Sequence, residues 1–505
     1  MPDTSSPPSF NLIEERWLPV TSLAAEPRLA SLRELLREPA AYRGLSTTVP
    51  TEFLALHRLL LAICHRAIGP GDLYQRSNLL QAWPSHQIMA YLDRWSERFD
   101  LFHPDRPFMQ IAALRGVDSL SPKPWTNLAF DRSSGNTKLL FDHSMDDAPG
   151  SIDPVQAAQV LLAHLQFVPG GLVKALRTSG TRGAACAFQV VMPLGRNLQE
   201  TLALSLCPQA ESEHAQDLPP WETEPPEIAT LHAPPEMVAL GPAQRYTWLS
   251  RAVLLQPGTG GTVSSALYAE GLELSESPVP DPMVAMVTGK DAALHPLYLD
   301  VDRAFWRDLY ALSGESGSTP PRVIASAIEL RAMQDDYSPL ELAAGGLLPD
   351  KAKIVLWRLE ERRVSPVLLQ AEGVVASRMD AAIQRAQQVG QSLYGALMDL
   401  CREWLAQGAD RQPAPADVKA LMRQLDGLSR YWAGLESRFW ALADRLGQGE
   451  DPDRCLLDWH LDVRDSARDC WQVVSELLGR DGRSLAAQAK AAPLLRFTLK
   501  KALEN

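Results

Sequence analysis

Asp142, His143, Asp146 and Asp147 are the densest set of metal-type ligands in the chain. A carboxylate-rich loop with a histidine can hold a divalent cation. No second cluster stands at ligand spacing, so no metal site is expected. Asp458, His460 and Asp462 share a helical stretch, where i and i+2 neighbours point to different faces, and they read as solvated. Gln256 to Gly261 (QPGTGG) lacks the Gly-Lys-Ser/Thr ending of a phosphate loop and reads as a turn. No G-x-S-x-G elbow, H-E-x-x-H pair or dinucleotide fingerprint occurs. Cys64, Cys186, Cys207, Cys401, Cys455 and Cys470 never fall into C-x-x-C spacing. That excludes a local cysteine zinc motif and a dense disulfide framework, and it suits a reducing cytoplasm. The chain therefore reads as a non-enzyme without a cofactor.

Binding chemistry is better represented. Pro169-Gly170-Gly171 precedes Leu172-Val173-Lys174-Ala175-Leu176-Arg177. Two adjacent glycines let another backbone approach closely. A helix starting at Leu172 would offer free N–H groups to an anion and set Lys174 and Arg177 on one face. Such a loop suits phosphate or a narrow minor groove; a tight structural turn is the alternative. Pro154 to Gln199 contains no Asp or Glu in a chain with 61 acids, and carries Lys174, Arg177, Arg182 and Arg196. Either the segment meets an anion or it is buried where acids are excluded. A second basic cluster is Lys351, Lys353, Arg358, Arg362 and Arg363, against Glu360 and Glu361. A solvated helix face is the common meaning of such a run.

The elements that must position these residues fall into two parts. At 505 residues the chain has room for two to four domains. The net charge of −12 argues against a free-standing nucleic-acid binder. Seven acids and eight prolines, without Lys or Arg, lie between Cys207 and Ala243, which reads as an extended, solvated loop holding more than half of that charge. Thr51 to Ala67 has the spacing of an amphipathic helix. Phe188–Met192, Leu202–Leu206, Tyr246–Leu255 and Met283–Val287 read as strands, and Phe305–Leu312 and Val323–Met333 as helices. No βαβ rhythm appears, so residues 1–365 are expected to be an irregular mixed α/β domain with the acidic loop 207–243 inserted. From Pro366 to the end, apolar residues step by three or four through four stretches separated by breakers. Residues 366–505 are expected to form an antiparallel four-helix bundle, giving an α+β protein. No signal peptide and no run of 18 apolar residues is present, so no membrane association is expected.

Several segments resemble one family: the CasA large subunit of type I-E CRISPR Cascade surveillance complexes. Phe10-Asn11-Leu12-Ile13-Glu14-Glu15-Arg16-Trp17-Leu18-Pro19-Val20 is similar to its N-terminal signature. His103-Pro104-Asp105-Arg106-Pro107-Phe108-Met109-Gln110, Thr126-Asn127-Leu128-Ala129-Phe130 and the glycine loop follow in the family's order. Ser338-Pro339-Leu340-Glu341-Leu342 with Gly345-Gly346 resembles the approach to its wedge hairpin. The resemblance implies a noncatalytic, cytoplasmic subunit that recognises the protospacer-adjacent motif in double-stranded DNA. Such a subunit helps unwind the target for guide-RNA pairing and docks a helicase–nuclease. Its implied partners are the guide-RNA (crRNA) ribonucleoprotein backbone and small helical subunits. Carried over by position, Phe130, Asp131, Arg132 and Asn136 would belong to the loop reaching the guide-RNA handle. Gly170, Gly171, Leu172, Lys174 and Arg177 would lie at the DNA minor groove. Asp350, Lys351, Ala352 and Lys353 would form the wedge tip. Three features depart from the family: Lys351 stands where the wedge has a glutamine, a cysteine zinc site is absent, and no Lys or Arg occurs between Arg251 and Lys290. The competing reading is a helical scaffold that binds only protein partners.

Overall fold

The computed structural model describes residues 8–133, 148–275, 280–351, 353–370, 373–406 and 412–501. Asn136, Ala352 and the Asp142–Asp147 cluster lie outside them. The α+β chain divides into two units: Met1–Val301 with Pro320–Arg363, and Asp302–Thr319 with Val364–Asn505. No helix among the described residues is long and apolar enough to cross a membrane.

The first unit is built around helix Pro50–Ile68. Its spacing predicts one buried stripe, yet nearly every face is buried, including His57, Arg58 and His65. Helices Pro154–Phe167 and Pro242–Tyr246 pack on it. Arg58 is tolerated inside because Asp281 pairs with it at 2.8 Å and the Tyr246 ring lies 4.3 Å from its guanidinium. Three three-stranded antiparallel sheets surround this helical core. One orders Pro27–Ala30, Leu18–Ser22 and Tyr42–Leu45. The second orders Lys123–Pro124, Val263–Glu270 and Arg251–Pro257. The third orders Lys353–Val364, Leu340–Asp350 and Val190–Leu194.

Local reading fails where distant partners decide. Leu202–Leu206, expected as a strand, belongs instead to helix Leu198–Ser205, which Asn197 caps by accepting the Glu200 N–H. Tyr246 ends a helix, and the strand begins only at Arg251. The acidic stretch 207–243 is not an extended solvated loop. It folds into short helices Glu211–Gln216, Ile228–His232 and Pro242–Tyr246, with Trp221 and Asp217 buried. The side chains of two of its acids, Glu222 and Asp217, are buried among partners. Glu222 pairs with Arg66 at 2.7 Å and accepts from Tyr91, and Asp217 accepts the N–H groups of Ala243 and Gln244.

In the second unit, helix Val374–Ala406 packs against Pro415–Leu425, Gly427–Gly447, Pro452–Leu477 and Gly482–Lys501. The second stretch is one bent unit, because Asp426 adopts a left-handed conformation (φ 49°) and splits it. The segment Asp302–Thr319 completes this core. Trp306 is 1% exposed and meets Phe439 at 4.7 Å, Trp432 at 6.1 Å and Trp459 at 6.2 Å between ring centroids. Arg307 covers Trp432 at 3.7 Å. A bundle drawn from residue 366 onward omits this piece.

Candidate nucleic-acid interface

The glycine loop does not start a helix. Gly171–Leu172 pairs with Ser179–Gly180 as a two-residue ribbon, and Lys174 sits in the left-handed region (φ 59°). Lys174 and Arg177 therefore share no helix face. The cause is a pair of buried charges on the neighbouring sheet. Arg251 and Glu270 stand opposite each other in the register of strands Arg251–Pro257 and Val263–Glu270. Arg251 donates to the Pro169 carbonyl at 2.6 Å and to the Thr181 carbonyl at 2.5 Å, gripping both sides of the ribbon. Glu270 accepts from the N–H groups of Leu176 at 2.8 Å and Ala175 at 3.2 Å, gripping its exit. These contacts consume the N–H groups that an α-helix would direct to its own carbonyls. Burial pushes the Glu270 carboxyl up, and the backbone donors outweigh it, holding the group below its ordinary value. A Cβ at Gly180 would lie 2.8 Å from the Arg251 guanidinium and would push it off its carbonyl partners. Gly171 has φ 153°, which side chains rarely adopt.

A chain of hydrogen bonds joins this ribbon to the next loop. Arg251 Nε donates to the Tyr268 hydroxyl at 3.0 Å. Tyr268 and His164 Nε2 lie 3.1 Å apart, as do His164 Nδ1 and the Leu128 carbonyl. The carbonyl can only accept, so Nδ1 carries the proton and Nε2 accepts from tyrosine. Burial, helped by the Arg251 charge, pulls the His164 pKa down to about 3, keeping the ring neutral. Phe130 stacks on that ring at 5.6 Å and 13°. It is buried, so its aromatic face is occupied by the protein itself.

These parts enclose one groove of about 400 Å³. Phe130 and Arg132 line it from residues 128–133, Gly170, Gly171, Leu172 and Lys174 from the ribbon, and Ile354 from strand Lys353–Val364. Lys123, Arg132, Lys174 and Arg251 are its charged lining side chains, all cationic. Leu172 projects from the ribbon, 69% exposed. Asp131 lies beside Arg132 at 3.7 Å. Arg177 is placed elsewhere: its guanidinium donates to the Leu231 and Gly271 carbonyls and pairs with Glu273 at 3.2 Å, so it braces the fold.

The second basic cluster lies on a strand, not a helix. Leu340–Asp350 and Lys353–Val364 form a long hairpin. Asp350, Lys351 and Lys353 are exposed at its tip, and Lys351 sits in the left-handed region (φ 56°). At the base, Arg331 donates to the Ser338 carbonyl at 3.1 Å and to Glu200 at 3.0 Å, fixing where the hairpin leaves the core.

Arg251, Glu270, Tyr268 and His164 escaped sequence reasoning. One available signal was a charge at each outer end of the apolar pair Arg251–Pro257 and Val263–Glu270, a place where charge is retained only with a partner.

The profile described as CRISPR-associated protein Cse1 matches residues 11–470. The CRISPR-associated protein CasA/Cse1 of Thermus thermophilus is 31% identical over 496 residues, spanning 95% of each chain. The structure of Thermus thermophilus CasA (Cse1) is similar with a TM-score of 0.84 at 28% identity, covering 97% of this chain and 99% of that one. A chain of a CRISPR RNA-guided surveillance complex matches with a TM-score of 0.77 at 25% identity, covering 99% of this chain and 100% of its own. On this agreement of profile, sequence and fold along its length, the chain belongs to the Cse1 (CasA) family of CRISPR-associated proteins.

Proposed function

We propose that this protein is the noncatalytic large subunit of a guide-RNA surveillance complex, and that it inspects duplex DNA for a short motif, starts strand separation and docks a helicase–nuclease. The observation that carries the reading is the shared groove. It joins the glycine ribbon, residues 128–133 and the hairpin, three segments far apart in sequence. A ribbon with no side chain at Gly170 and Gly171 can enter a minor groove about 6 Å wide. Exposed Lys174 then reaches phosphate, and Leu172 offers an apolar edge of the kind that wedges between base steps. Lys351 at the hairpin tip braces the separating strands. Segment 128–133, anchored by Phe130 on His164, carries Asp131 and Arg132 toward the guide-RNA handle. Phe130 serves as the anchor; its buried stack leaves base recognition to other residues. Net negative charge is compatible with this role, because backbone attraction is pooled across an RNA–protein assembly.

The test uses the complex assembled on guide RNA. Gly171→Asp should assemble normally, bind a fully paired target weakly and bind a target already opened beside the motif nearly as well as wild type. Equal weakening on both targets would show that the ribbon does not read the duplex. Purification with protein partners but no guide RNA would favour the scaffold reading.

A further inference from the structure

We propose that the outward face of hairpin strand Lys353–Val364 is a stacking platform for an unpaired base of the opened DNA strand; this rests on the proposed opening of the duplex at the hairpin tip. The strand is the edge of its sheet, next to Leu340–Asp350. Side chains alternate between its two faces. Ile354 enters the groove beside the glycine ribbon. Lys353, Val355 and Trp357 stand on the opposite face, with Val355 50% and Trp357 36% exposed. One strand thus contributes to the groove on one side and presents an indole on the other.

The occupant follows from size and charge. A stable protein interface covers about 800 Å² per partner around an apolar centre. Here the exposed apolar face is one indole and one valine, while one indole suffices for one base. Lys353 precedes the pair on the same face and Arg363 follows it; Glu361 is the strand's own acid there, its carboxyl pKa raised by burial and by Glu341 of the neighbouring strand. Cations on both sides of an exposed aromatic suit a phosphate backbone that brings a base onto the ring. Trp357 lies six residues beyond Lys351, about 20 Å along the strand at roughly 3.3 Å per residue. A strand leaving the tip reaches it within about six nucleotides at roughly 3.4 Å each.

The experiment places 2-aminopurine at each of the first six positions beside the motif, on either strand of a fully paired target, and adds the complex assembled on guide RNA. At one position, opening should give fluorescence that is quenched with wild type, bright with Trp357→Ala and again quenched with Trp357→Phe. Affinity for the paired target should fall roughly tenfold in the alanine variant and recover with phenylalanine. Identical fluorescence with wild type and Trp357→Ala at every position would overturn the platform. So would loss of the subunit from the complex in the folded Trp357→Ala variant, which would show that a protein covers this face. Lys351→Ala and Gly171→Asp separate the two levels. If neither alters opening of the paired target, the duplex-opening reading fails; if they do and Trp357 variants do not, the platform alone fails.

Discussion

Tyr268→Phe removes a single oxygen and tests whether the Arg251–Tyr268–His164–Leu128 chain couples the two loops. The hydroxyl accepts from Arg251 Nε at 3.0 Å and donates to His164 Nε2 at 3.1 Å. Without it, the Nε2 of a fully buried neutral ring has no donor. An unmet buried acceptor costs about 1–3 kcal/mol. Arg251 keeps its bonds to Pro169, Thr181 and Ser250, so the loss on that side is smaller. The expected destabilisation is about 2 kcal/mol. Urea unfolding of the isolated chain measures it, and His164→Phe supplies the second arm of a cycle. Once histidine is gone, the tyrosine hydroxyl has lost its acceptor, and removing it should cost about 1 kcal/mol less than in wild type. Additivity of the two substitutions within about 0.3 kcal/mol would refute the coupling.

Phe130→Ala should cost about 3–5 kcal/mol in the isolated chain, because it empties a packed site against His164, and a melt measures it; an unchanged midpoint would mean the stack is not anchoring the loop. Trp306→Ala should cost a similar amount and be felt in the helical core, read by loss of helical ellipticity at lower urea; melting like wild type would remove Asp302–Thr319 from that core. His164 has its pKa lowered to about 3 and His57 to about 4, against 6.5 unfolded, so the unfolded chain takes up these protons first. Stability should therefore fall as pH drops below about 6.5, continuing toward pH 3, and His164→Phe should flatten that slope; an unchanged slope would contradict the burial of a neutral ring. Lys351→Gly should relieve about 1 kcal/mol of left-handed backbone strain. It should also slow opening of a paired target while sparing a bubbled one, so unimpaired opening would excuse the lysine side chain from wedging.

What could be read locally depended on which residues answer to neighbours in sequence. The last four helical stretches show their period because each keeps a solvent face: Leu435, Phe439, Leu442 and Leu446 are buried while charged residues alternate with them. Pro50–Ile68 has no such face, so its spacing foretold a helix but not that Arg58 lies inside it, held by Asp281 more than two hundred residues away. The glycine loop looked like a helix start because its local sequence permits one. Arg251 and Glu270, some 70 to 95 residues on, take the backbone groups that decide otherwise. The acidic stretch reads as solvent-seeking by composition alone, since Arg66 and Tyr91 cannot be assigned to Glu222 from sequence. Gly170, Gly171 and Lys174, singled out from the sequence, line one groove with Phe130 and Arg132, whereas Arg177 turns away to the Leu231 and Gly271 carbonyls and Glu273.

Trp306 also sets a timetable for synthesis. It leaves the ribosome well before the rings it needs, since Trp459 follows roughly 150 residues later. At about 5–20 residues per second, that interval is roughly 8–30 s. For that time Phe305, Trp306 and Leu309 form an apolar strip without its cover, next to a growing chain that already holds most of the first unit. Slow stretches of translation between residues 320 and 440 would lengthen this exposure. The yield of soluble protein should therefore depend on elongation rate across that window, and on chaperones that shield short aromatic segments, more than on elongation over the final helix.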